Sequence, residues 1–236
     1  MTSIMRWAAI AAAALLFAAS AHAAEKRFGL TSFAAIEVGA DIDVEVMTRA
    51  PVSAVATGSQ DALDRLTVEN RDGRLVIGMR QFAGDDRRGS SPGAVLLRIN
   101  AATLQSATLV GAGSLHIDGM KGQRVALGLR GPGKLSVDAV DTDRLAVAMI
   151  GNGTLTLAGK AKQAQMTLSG SGVVDAGKLA VDGLISDSEG TGDHIFNAVK
   201  SAAITTRGSG KTVVLGRPVC TVRNVGTGTV ACGRAR

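Results

Sequence analysis

The stretch Gly131-Pro-Gly-Lys-Leu-Ser-Val-Asp-Ala-Val-Asp-Thr-Asp-Arg-Leu-Ala-Val-Ala-Met-Ile-Gly151-Asn-Gly153 decides the fold. It opens and closes on Gly-x-Gly. After the first doublet, Leu135 and Val137 are separated by Ser136; before the second, Leu145, Val147 and Met149 recur at every other position. A period of two is the mark of a strand with one buried face. Asp141-Thr-Asp143, between the two runs, has turn chemistry. The unit reads as bend, strand, turn, strand.

The same unit recurs on both sides. Gly-x-Gly stands at Gly111 and Gly113, Gly131 and Gly133, Gly151 and Gly153, Gly170 and Gly172, Gly190 and Gly192, Gly208 and Gly210, and Gly226 and Gly228, at intervals of 20, 20, 19, 20, 18 and 18 residues. Leu115 with Ile117 and Leu155 with Leu157 repeat the first strand; Val125, Leu127 and Leu129, and Ala164, Met166 and Leu168, repeat the second. A two-strand unit cannot bury its apolar face alone, but a stack of such units can, each strand pairing with its equivalent one coil away. The expected fold is therefore an all-β parallel β-solenoid of 18–20 residues per coil. Glycine suits its corners because successive backbones approach closely there and a positive φ is needed. Seven coils at about 4.8 Å each would make a rod roughly 30–35 Å long.

Later coils depart from the pattern: Ser186 and Ser188 stand where Val147 and Met149 stand earlier, and His194 replaces Leu155. Either the register slips there or the interior is partly polar. Upstream, Phe33 to Met47 and Val52 to Ala56 alternate as strands do. Ser59 followed by Gln60 to Leu66 predicts a short capped helix. Asn70-Arg-Asp-Gly73, between Leu66 to Glu69 and Arg74 to Met79, predicts a hairpin turn. Gln81 to Gly93 is polar and turn-rich, the expected mobile loop. Residues 24–105 are expected to form irregular coils that cap the first end, and residues 106–236 the regular coils, in one continuous domain.

The amino terminus has the pattern of a cleavable signal peptide over residues 1–23. Arg6 precedes the apolar run Ala8 to Ala19, and Ala21-His-Ala23 precedes Ala24, which places cleavage between Ala23 and Ala24. No later stretch is long and apolar enough to be an integral membrane helix. The expected location is the periplasm, or the secreted or cell-surface fraction, of a Gram-negative bacterium. The net charge of +6 falls to +5 when Arg6 is removed, a mild excess. With 3% aromatic residues and scattered cations, the chain lacks the stacking platforms of a nucleic-acid binder. The single Trp is Trp7 and there is no Tyr, which disfavours a sugar cleft with aromatic walls.

Little catalytic chemistry is visible. Ser209-Gly-Lys-Thr212 imitates the end of a phosphate-binding loop, but Thr205 stands where that loop needs glycine. Asp187, Glu189, Asp193 and His194 cluster near one bend and read as a solvated corner, since His194 falls on a different face from the two acids. Asp118 and Asp138 occupy equivalent positions one coil apart, the nearest approach to the paired carboxylates of a polysaccharide-cleaving β-helix. No catalytic, cofactor-binding or metal-ligating residue is assigned. Cys220 and Cys232 are the only cysteines, and both fall on the inward register six residues either side of Gly226. In an exported chain they are expected to form a disulfide that locks the last coil.

Leu168-Ser-Gly-Ser-Gly-Val173, Arg207-Gly-Ser-Gly-Lys211, Val214-Leu-Gly-Arg-Pro218 and Phe33-Ala-Ala-Ile-Glu-Val-Gly39 together resemble the GIN-domain family, the auto-transporter adhesin heads. The resemblance covers nearly all of the chain after residue 23. It implies a right-handed, single-stranded parallel β-helix in an exported bacterial protein, with no cofactor and no catalytic residue. The expected function is a non-enzymatic, adhesin-head-like envelope or cell-surface interaction protein. Its partner is unknown; an envelope protein or a surface polysaccharide fits, and nucleic acid does not. The alternatives are a carbohydrate-active β-helix enzyme acting on an acidic polysaccharide and a periplasmic binding or sensing module.

Overall fold

A computed structural model describes residues 24–80 and 94–234. Residues 1–23, expected as a signal peptide ending at Ala23, the loop expected at Gln81 to Gly93, and Arg236 lie outside the described residues, whereas Ala24 opens the first strand.

The amino-terminal part contains β1 (Ala24–Phe28), β2 (Ala35–Val38), β3 (Asp43–Thr48), β4 (Ser53–Gly58), the helix α1 (Gln60–Arg65), β5 (Leu66–Arg71), β6 (Arg74–Met79) and β7 (Leu96–Ala101). The Ser59 hydroxyl caps α1 by accepting from the Ala62 amide at 3.3 Å. A six-residue helix has no stability of its own; burial of Ala62 and Leu63 holds it. β5 and β6 pair antiparallel down to Arg71 opposite Arg74, which leaves Asp72 and Gly73 as a two-residue turn with φ of 51° and 76°. Positive φ at both positions is what a twisted hairpin demands.

The regular part continues through β8 (Ser106–Val110), β9 (Ser114–Ile117), β10 (Met120–Arg130), β11 (Lys134–Gly151), β12 (Thr154–Gly170), β13 (Val173–Gly190), β14 (His194–Gly208), β15 (Lys211–Leu215), β16 (Val219–Gly226) and β17 (Thr229–Arg234). The result is an all-β solenoid of about six turns. The long strands bend around each coil, so that one strand serves both faces and the edge between them. The first face stacks β6, β2 and β8, then the carboxyl-terminal parts of β10 to β14, and ends on β16. The second stacks β7, β3 and β9, then the amino-terminal parts of β11 to β14, and ends on β15 and β17.

Coils do not follow chain order at the amino-terminal end. β2 lies between β6 and β8, and β3 between β7 and β9, so the first coil made is the second in the stack. Beyond β7, β4 and then β1 continue the sheet antiparallel, and they blunt the end that parallel stacking would leave open.

Inward side chains form columns. One runs Leu109, Leu129, Met149, Leu168, Ser188, Thr206, Asn224; another runs Leu115, Leu135, Leu155, Val174, His194, Thr212, Val230. The register therefore holds at Ser186, Ser188 and His194, all buried, and it is the interior that turns polar. The corners account for this rigidity. Gly151 has φ of 123°, and a Cβ on Gly153 would stand 2.6 Å from the Gly133 carbonyl oxygen. The first glycine of the doublet thus combines a positive φ with a close approach, since a Cβ on Gly151 would stand 2.9 Å from the Gly131 carbonyl oxygen, while the second answers to close approach alone.

Along the edge between the faces the charges alternate from coil to coil. Asp141 lies between Lys121 and Lys160, at 3.4 and 3.7 Å; Lys162 meets Asp143 at 2.7 Å, and Lys200 meets Asp182 at 2.8 Å. The Asp143 hydrogen bond and charge raise the Lys162 pKa above its ordinary value. These exposed pairs set register more than they add stability.

Candidate functional site

An open groove of about 660 Å³ lies where the edge meets the first face, lined by Gln105, Gln123, Arg124, Asp143 and Arg144. Register places Arg124 directly beside Arg144, and Gln163 follows on the next coil. Asp143 is engaged by Lys162, and neither arginine has an ion pair among the described residues. Two guanidinium groups one coil apart, with amide side chains beside them, suit a carboxylate, sulfate or phosphate group. Reading the sequence for motifs missed this pair; its signal was a spacing of 20 residues, the repeat itself.

Asp118 and Asp138 do not act together. Asp118 accepts from the Thr48 amide at 2.8 Å and the Thr48 hydroxyl at 2.9 Å, and so ties β3 to the turn after β9. Asp138 lies 3.2 Å from His116 Nε2, and His116 Nδ1 is 2.9 Å from the Ser136 hydroxyl. A hydroxyl, an imidazole and a carboxylate in contact are the parts of a nucleophilic relay. Here they sit on an exposed sheet face whose strands are paired on both sides. The backbone donors an oxyanion would need are committed to the ladder.

The acids near the fifth bend separate as their alternation requires. Asp187 pairs with Arg207 at 2.7 Å, and Asp193 accepts from the Lys211 amide at 2.9 Å. His194 points inward and is buried. No group of three metal-binding side chains occurs among the described residues. The corner Ser209 to Thr212 has occupied amides on either side of Gly210: Ser209 donates to the Gly190 carbonyl and Lys211 to the Asp193 carboxylate. It has no free nest for phosphate.

Inside that corner Ser188, His194, Thr206 and Thr212 border a cavity of about 10 Å³, the size of one water. His194 Nδ1 and the Ser186 hydroxyl are buried without a hydrogen-bond partner among the described residues. Burial lowers the His194 pKa below its ordinary value of 6.5, against a smaller opposing pull from Asp193. The ring is neutral at pH 7.

Cys220 and Cys232 are bonded, with Cα atoms 6.4 Å apart, and the bridge spans from β16 to β17 over the last coil. Cys220 stacks on buried Ala202 and Cys232 on buried Val214. The disulfide therefore covers the end of the core. Asn224 continues the cover: its carbonyl accepts from Thr206 at 2.8 Å, and its amide donates to the Gly228 carbonyl at 2.7 Å.

The family model described as "Putative auto-transporter adhesin, head GIN domain" matches residues 32–218. The chain belongs to this family. The GIN-domain fold recurs in solved structures. A "putative adhesin" of Bacteroides fragilis superposes with a TM-score of 0.80 at 21% identity, covering 90% of this chain and 97% of that one. A "putative lipid binding protein" of Parabacteroides distasonis gives 0.72 at 17% identity, with 91% and 98% covered. A "putative adhesin" of Parabacteroides merdae gives 0.69 at 18% identity, with 91% and 98% covered. At these identities the likeness establishes the fold of the GIN domain alone. No curated protein sequence matches the chain. No helix among the described residues is long and apolar enough to cross a membrane.

Proposed function

We propose that this GIN-domain protein is an exported, non-enzymatic, adhesin-like module that binds an anionic component of the envelope or cell surface of a Gram-negative bacterium. The reading rests on Arg124 and Arg144, two adjacent guanidinium groups without carboxylate partners in an open groove. The repeat supports it: a rigid rod presents side chains at the fixed spacing of its coils, which matches the repeating charges of a polymer better than a single small molecule. The adhesin descriptions of the family and of its structural neighbours agree with a binding role.

Retention on an immobilised uronate polymer, and recovery of envelope components by the bound protein, test the reading. The parent chain is expected to be retained and to elute with added salt. Arg124→Ala with Arg144→Ala should lower the affinity at least tenfold while the melting curve is unchanged. Equal retention of the double variant would remove the groove from the function. Turnover of the polymer would remove the non-enzymatic reading.

A further inference from the structure

The two ends of the solenoid are not closed alike. At the amino-terminal end β4, β1 and α1 cover the stack. At the other end, among the described residues, β16 pairs only with β14, and β17 only with β15. All eight residues of β16 are exposed, including Val219 at 78%, Val222 at 44% and Val225 at 50%. The disulfide and Asn224 cover the core beneath but do not satisfy the outer row of backbone N–H and C=O groups along β16.

The charge at this end has one sign. No Asp or Glu follows Asp193, while Lys200, Arg207, Lys211, Arg217, Arg223, Arg234 and Arg236 do. Lys200 and Arg207 are neutralised by Asp182 and Asp187 of the preceding coil. Lys211, Arg217 and Arg223 have no acidic partner among the described residues. On β16 itself Arg223 stands in the outward column beside Thr205 and Asp187.

From these observations we infer that β16 accepts an extended acidic polypeptide segment as the next strand of the stack. Only a polypeptide supplies the alternating donors and acceptors that an open ladder needs; a polysaccharide or a lipid headgroup does not. The pleat specifies the segment. Residues facing inward meet Cys220, Val222 and Asn224 and are mainly apolar; those facing outward run beside Val219, Thr221, Arg223 and Val225, and the one beside Arg223 is acidic. A second copy of the same edge is disfavoured, because it would bring arginines against arginines. The inference concerns a surface separate from the groove, and the two stand or fall independently.

Fluorescence anisotropy of a labelled octapeptide alternating valine and glutamate, titrated with the full chain, tests it. Saturable binding is expected. It should weaken at least tenfold for an alternating valine–lysine peptide, for the valine–glutamate peptide N-methylated at every second amide, and for Arg223→Glu. Arg223→Gln, a milder change, should fall between Arg223→Glu and the parent chain. Arg124→Ala with Arg144→Ala should leave peptide binding unchanged, which separates this edge from the groove. Equal binding of the N-methylated peptide would reduce the effect to attraction of a polyanion and overturn the inference. So would displacement of the peptide by a uronate oligomer or by anionic vesicles at equal charge. Sedimentation as a dimer whose β16 amides are protected without peptide would assign the edge to a second copy instead.

Discussion

Replacing Gly153 by alanine sets a methyl group against the preceding coil. An ideal Cβ there lies 2.6 Å from the Gly133 carbonyl oxygen, 2.9 Å from that of Gly131 and 2.9 Å from Leu129 Cδ2. Ordinary contact begins at 3.4 Å, so the coils must part by roughly 0.8 Å or shear. The Gly133 carbonyl also accepts from the Thr154 amide at 3.0 Å, and that bond stretches with the same movement. Overpacking costs about 1–3 kcal/mol and the weakened hydrogen bond about 0.5–1.5 kcal/mol. The expected loss is about 2–4 kcal/mol, or roughly 4–16 °C in Tm for a domain of this size. Urea and thermal unfolding followed by far-ultraviolet circular dichroism suit a chain whose only Trp is Trp7 and which lacks Tyr. Gly29→Ala is the control, since nothing lies within 4 Å of its Cβ position. If the two variants unfold within 0.5 kcal/mol of each other, coil spacing is not what requires glycine at this corner.

Two further outcomes follow from the carboxyl-terminal coils. Changing Cys220 and Cys232 together to serine opens a link between residues 12 apart and should cost about 3 kcal/mol on the loop-entropy estimate. Hydrogen exchange should then rise first in β16 and β17, and uniform exchange across all coils would contradict an end-locking role. His194 is held neutral by burial, so its folded pKa lies below 6.5 while the unfolded chain titrates near 6.5. The unfolded state binds the proton more readily. The stability tied to the neutral ring is therefore complete above pH 6.5 and is lost as the pH falls through the lowered folded value. His194→Val, which copies Val174 one coil earlier, should flatten Tm against pH below 6.5. An unchanged slope would assign the acid sensitivity to other groups.

Much of this fold can be read from spacing. Corners at Gly-x-Gly, alternation at Leu135 and Val137, the Ser59 cap and the Asp72-Gly73 turn are local signals, and the structure places strands, helix and hairpin accordingly. Ser188 and His194 were ambiguous because alternation alone cannot separate a slipped register from a polar interior. The glycine corners resolve it: Gly170 aligns with Gly190, and that alignment carries Leu168 onto Ser188 whatever their polarity. Neighbour order at the amino-terminal end was not legible. A period of two says that β2 has a buried face, and says nothing of whether β6 or β8 lies beside it. The groove was hidden for a similar reason, since Arg124 and Arg144 belong to no motif and meet only through the coil period.

The position of β2 between β6 and β8 bears on how the molecule assembles. Ile36 must find Leu75 and Ala107, partners 39 and 71 residues away, whereas Leu145 finds Val125 and Ala164 within 20. Closing the longest of these loops costs about 1 kcal/mol more than closing a single coil. Nucleation therefore favours the regular coils, with growth toward β2 and β3. The segment synthesised first is therefore completed last, after the coils that follow it in the chain have formed a template for it. In pulsed hydrogen exchange during refolding, amides of β11 to β13 should gain protection before those of β2 and β3.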